Sequence, residues 1–221
     1  MTKLFRSIVI SLLLLSLLLS ACSALDLLKP VAKSVAPGTL FFQDDFSVTP
    51  NGWGTMGRSG GEIGFEYDGL TIQVNTSNFM FWTVNGENYR DARIEVDAVL
   101  LEGPADDNFG ILCRFKDNKN FYGFVISHDG YYGIFKMLDG KFSLASPDSM
   151  LEYSDVIRQG GIVNHLAVVC NRETLSLSVN DTLLSQVQDP SFKDGQIGLV
   201  ASAYEFSGVK VLFDNLEVYQ P

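Results

Sequence analysis

Residues 107–136, DNFGILCRFKDNKNFYGFVISHDGYYGIFK, leave the chain little choice of architecture. Three runs rich in aromatic and aliphatic residues (109–115, 121–127 and 131–137) are separated by Asp117-Asn118-Lys119-Asn120 and by His128-Asp129-Gly130. Asn and Gly tolerate positive φ, and short loops of this kind match the twist of antiparallel strands. The stretch therefore predicts a three-stranded meander inside an all-β domain.

The rest of the chain after residue 38 follows the same rule. Leu70, Ile72 and Val74 alternate with Thr71, Gln73 and Asn75, and Ala92, Ile94, Val96 and Ala98 with Arg93, Glu95 and Asp97. Leu175, Leu177 and Val179 alternate with Thr174, Ser176 and Ser178. Period two marks strands with one buried and one wetter face. Turn signals recur at Asp68-Gly69, Asp139-Gly140, Asn180-Asp181 and Asp194-Gly195. About a dozen strands with no amphipathic helix predict a two-sheet antiparallel β-sandwich. The stretch 143–161 is the least strand-like and is expected to be a long connection. In the last strand Val209, Val211 and Phe213 share one parity, while Leu216 and Val218 take the other. One extra residue near Asp214-Asn215 restores the phase, as a β-bulge does. At 221 residues and 46% hydrophobic content, a single large core is within reach.

The N-terminus reads as an address. Lys3 and Arg6 precede the apolar run 8–19, which is shorter than the roughly 20 residues a spanning helix needs. It ends in Leu19-Ser20-Ala21-Cys22, which resembles the lipobox of bacterial lipoproteins. That resemblance implies cleavage after residue 21, lipidation of the Cys22 thiol and a lipid-anchored location on the cell membrane or outer membrane. Several acyl chains hold a protein at a bilayer where one does not. The expected organisation is a signal peptide over 1–21, a tether over 22–38 interrupted by Pro30, Pro37 and Gly38, and one sandwich domain over 39–221. The formal charge of −10 argues against nucleic acid or anionic lipid headgroups as partners.

Asp44-Asp45-Phe46-Ser47, Gly52-Trp53, the central meander and the closing Phe213-Asp214-Asn215-Leu216-Glu217-Val218 resemble concanavalin A-like lectin/glucanase domains. Laminin-G-like and 3-keto-disaccharide hydrolase-like domains are the branch most resembled. The resemblance implies a jelly roll, and a structural Ca²⁺ held between first and last strands. Asp214 with Asp44 or Asp45 fits that placement; Asp214 capping turn amides is the alternative. Glucanases of this kind carry E-x-D-x-E or E-x-D-x-x-E. Glu95 and Asp97 match the first two acids, but Val99 and Leu100 stand where the acid/base is required and Glu102 comes too late. The same residues also read as the wet positions of an amphipathic strand, so catalysis is not expected. The competing classes are a glycosidase acting on a disaccharide or glucan and a structural or protein-interaction module.

Cys113 is in phase with Ile111 and Phe115, and Cys170 with Leu166 and Val168, so both are expected in the core. Outside the cytoplasm such a pair points to a disulfide, with two small buried hydrophobes as the other reading. For a glycan, flat aromatics and planar donors are needed. Trp82, Arg114, Tyr122 and Tyr132 are the candidates, expected to share the face of a concave sheet.

Overall fold

The computed structural model describes residues 35–47, 52–54, 60–146 and 149–221. The expected signal segment, Cys22 and most of the expected tether lie outside the described residues. Residues 36–221 form one unit with a core of their own.

Alternation becomes fifteen strands and, among the described residues, no helix. One sheet runs β2 (Gly61–Glu66), β3 (Gly69–Val74), β15 (Val209–Tyr219), β5 (Ala92–Glu102), β11 (Asn164–Asn171), β12 (Thr174–Val179), β13 (Thr182–Gln188), with β1 (Leu40–Asp44) also on β15. The other runs β4 (Phe79–Tyr89), β14 (Gly195–Ala203), β6 (Asn108–Asp117), β7 (Asn120–Ser127), β8 (Tyr131–Leu138), β10 (Glu152–Tyr153), with β9 (Lys141–Leu144) also on β8. The predicted meander is β6-β7-β8, antiparallel throughout. The stretch 143–161 is mostly loop, as expected, but contains the two-residue strand β10 paired to β8.

The inward faces close on each other. Leu70, Ile94, Leu166 and Phe213 from the eight-stranded sheet meet Phe109, Ile111, Phe124 and Leu199 from the seven-stranded one, all fully buried. Each such side chain contributes about 1.5–3 kcal/mol by leaving water. Cys113 on β6 and Cys170 on β11 form a disulfide, with Cα atoms 6.9 Å apart, so one strand of each sheet is covalently tied to the other.

The two outer faces differ. On β11 burial alternates strictly, as in a sheet with one wet face. On β6 and β7 nearly every residue is buried, because a second apolar cluster covers the outside of the seven-stranded sheet. Leu112, Phe115, Phe121, Val125, Phe135 and Val200 form it, flanked by Trp82. Glycine lets that layer lie flat: a Cβ on Gly123 would stand 2.1 Å from the Phe135 ring, and one on Gly133 would stand 2.6 Å from Leu151.

The bulge inferred in the last strand is present. The register of β15 against β5 slips between Asp214 and Glu217, and Asn215 takes φ +53°. It lies where β15 changes partner on its other edge, from β3 along Val209–Phe213 to β1 along Leu216–Tyr219.

Candidate functional site

The four residues expected to share a glycan-binding face do not share one. Trp82 lies on the outer face of the seven-stranded sheet, packed on Phe115 and Phe121 at ring distances of 6.3 and 5.7 Å. Tyr122 and Tyr132 point the other way, into the core. The Tyr122 hydroxyl donates to Asp189 Oδ1 (2.7 Å) and accepts from the Phe192 amide (3.1 Å). That of Tyr132 donates to Glu152 Oε2 (2.9 Å). Burial, with a carboxylate beside each, pushes both phenols up to about 12. Arg114 is 1% exposed at φ +53°. Its guanidinium donates to the carbonyls of Arg172 (2.7 Å) and Phe192 (2.6 Å) and to Asp91 (3.3 Å). These three side chains are internal fastenings.

Asp44 faces inward. Its Oδ1 accepts from the Phe46 amide (2.9 Å) and its Oδ2 from Trp53 Nε1 (3.1 Å), which locks Trp53 against Phe46 over the core edge. Asp45 caps Ser47, and Asp214 caps the Asn215 amide at 2.7 Å. Burial raises the Asp214 carboxyl, with Asp97, Asp45 and Asp68 adding repulsion. Among the described residues no group of three or more His, Cys, Asp or Glu side chains is placed to hold a metal. In this arrangement Asp44 is committed to the Phe46 amide and Trp53, and Asp45 and Asp214 cap local amides, the alternative reading for Asp214.

Glu95 and Asp97 stand on the wet outer face of the eight-stranded sheet, each engaged by neighbours. The β5–β11 register sets His165 opposite Asp97. His165 Nδ1 lies 2.8 Å from Asp97 Oδ1, and Nε2 lies 3.6 Å from Glu95 Oε2. Arg93 pairs with Glu95, and Asn215 at the bulge donates to Asp97 Oδ2 at 3.1 Å. The His165 contact was missed because the partner strands are about seventy residues apart, and no local motif records which residues pair. Glu95 lines a depression of about 420 Å³ with Arg93, Tyr219 and Gln220, but Asp97 does not.

A cleft with different chemistry opens where β1 of one sheet meets the end of β4 of the other. It encloses about 950 Å³. Phe41 stacks on Tyr89 with ring centroids 6.3 Å apart and planes 30° from parallel. Around this pair stand Asn85, Glu87, Asn88, Arg90 and Gln220. The Asn85 amide donates to the Tyr89 hydroxyl (3.5 Å), and its oxygen accepts from the Glu87 amide (3.2 Å). Burial, reinforced by Glu87, pushes the Tyr89 phenol up, so it stays a neutral donor. Asp91 at the rim is held from behind by Arg114 and by the Arg172 amide (2.7 Å). Arg114 thus holds Asp91 without lining the cleft itself. The run Asn85-Gly86-Glu87-Asn88-Tyr89-Arg90 was the available sequence signal: planar polar groups crowded round one aromatic.

No family model matches the sequence. A comparison with curated proteins gives no match. Solved structures do match. Carbohydrate binding module CBM66 from Bacillus subtilis superposes with a TM-score of 0.60 at 18% identity, covering 76% of this chain and 96% of that one. A Bacillus licheniformis beta-glucanase gives 0.59 at 9% identity, covering 85% and 100%. A Bacillus subtilis protein of unknown function with a galectin-like fold gives 0.59 at 14%, covering 84% and 97%. The chain shares the two-sheet jelly-roll fold of these structures. At these identities the likeness establishes the fold alone, and such folds carry unrelated functions.

Proposed function

We propose that the protein is a non-catalytic glycan-binding module, held at the cell membrane or outer membrane by a lipid on Cys22. The observation that carries the binding reading is the edge cleft. Sugars present apolar C–H faces bordered by hydroxyls, and Phe41 and Tyr89 offer a flat surface beside the planar groups of Asn85, Asn88, Arg90 and Gln220. Carbohydrate-binding and glycoside hydrolase domains among the structural neighbours support a carbohydrate-related role. The binding reading is favoured over hydrolysis because Glu95 and Asp97 are tied to Arg93, His165 and Asn215, and Asp97 does not line the depression beside Glu95.

Residues 36–221 applied to immobilised polysaccharides should be retained by at least one of them without release of reducing ends. Tyr89→Ala should weaken retention about tenfold, or roughly 1.4 kcal/mol. Turnover would establish a glycosidase instead, and neither retention nor turnover would leave a structural module. For the anchor, Cys22→Ser in the full chain should move the protein from the detergent to the aqueous phase on phase separation. Unchanged partitioning would remove the lipid.

A further inference from the structure

The apolar cover of the seven-stranded sheet is not continuous. Between its edge and the strand β9 lies a second cleft of about 320 Å³, remote in character from the edge cleft. Its walls include Val125, Phe135, Phe142, Leu144 and Leu151, and none of its described lining residues is charged. Phe142, 55% exposed, stands over Phe135 at a ring distance of 5.1 Å and forms the lip. The cleft also carries polar groups. Asn108, only 5% exposed, lies in the wall and donates through Nδ2 to the Tyr204 hydroxyl, while its Oδ1 has no partner. The Tyr204 hydroxyl accepts from Asn108 and keeps its own proton to donate.

A sugar laid on the apolar walls would lose water from its hydroxyls and find replacement only where Asn78, Asn108, Ser202 and Tyr204 stand. An alkyl chain would lose nothing. A buried amide atom without a partner, beside a free phenolic proton, suits a head that both donates and accepts, such as a hydroxyl. An anionic head finds no cation among the described lining residues, and Asp107, itself 1% exposed with Oδ2 unpartnered, lies directly before Asn108. We infer that this cleft is a second binding site, independent of the glycan reading, for a single-chain neutral lipid. The chain lies along Val125, Phe135 and Leu144, and the hydroxyl or amide head meets Asn108 and Tyr204.

The test is calorimetric titration of residues 36–221 with 1-hexanol, 1-heptanol and 1-octanol, and with octanoate at pH 8. Saturable binding should tighten about fourfold for each added methylene, the gain from burying one CH₂. Octanoate should bind at least tenfold more weakly than octanol. Phe142→Ala, at an exposed position, should weaken octanol several-fold with unchanged melting. Asn108→Leu should weaken it while preserving the step per methylene. Affinity independent of chain length, octanoate binding equal to octanol, or non-saturable uptake indifferent to Phe142→Ala would each overturn the inference. None of these outcomes bears on polysaccharide retention at the edge cleft.

Discussion

Single side chains carry much of the internal order. Arg114 is a buried cation paired with Asp91, and burial lowers its pKa while Asp91 opposes that. Asp91→Ala leaves the guanidinium in the interior with carbonyl partners alone and should cost roughly 3 kcal/mol in urea unfolding. Adding Arg114→Met to that variant should recover part of the loss, since the two changes remove one interaction. His128 is a second test. It is buried against Phe109, its two ring nitrogens each 3.4 Å from a backbone amide, of Leu100 and of Gly161. Burial lowers its pKa, so the unfolded chain takes up the proton first. Stability should therefore be complete above about pH 6.5 and fall as pH drops towards the depressed folded value. His128→Gln should flatten that slope between pH 7 and 5; an unchanged slope would assign it to carboxylates.

At the scale of the element, the bulge in β15 shows how far alternation can be read. Its phase error was visible in residues 209–218, and its reason is the exchange of β3 for β1 along one edge. Asn215 sits at φ +53°, which Asn and Gly accept and a β-branched residue does not. Asn215→Val should cost about 1–2 kcal/mol in chemical unfolding, whereas Asn215→Gly should be nearly neutral. The glycan candidates show where alternation stops informing. Along β11 one parity is wet and one dry, so the buried side is legible. Along β6, β7 and β8 both parities are apolar, so Tyr122 and Tyr132 could be put on either face with equal justice. The Asp189 network that binds Tyr122 is likewise invisible in one strand. Burial would raise that carboxyl, but hydrogen bonds from Lys136, Ser191 and Tyr122 hold it at about 2.

For the whole molecule, the disulfide joining β6 to β11 closes 57 residues. On the chain-entropy account its reduction should lower stability by about 4 kcal/mol. Thiol alkylation under denaturing conditions should find Cys113 and Cys170 only after reductant. Melting of residues 36–221 should be the same with and without EDTA, because Asp44 is spent on Phe46 and Trp53; a fall in Tm would establish a calcium site. The all-β class, the meander, the bulge and the burial of both cysteines were determined by sequence, since each follows from the parity of neighbours a few residues apart. The edge cleft, the His165 contact, the inward turn of Arg114 and the apolar cover were decided only by the tertiary structure. They depend on which distant strands pair and on what lies across the face, and chain order does not encode either locally.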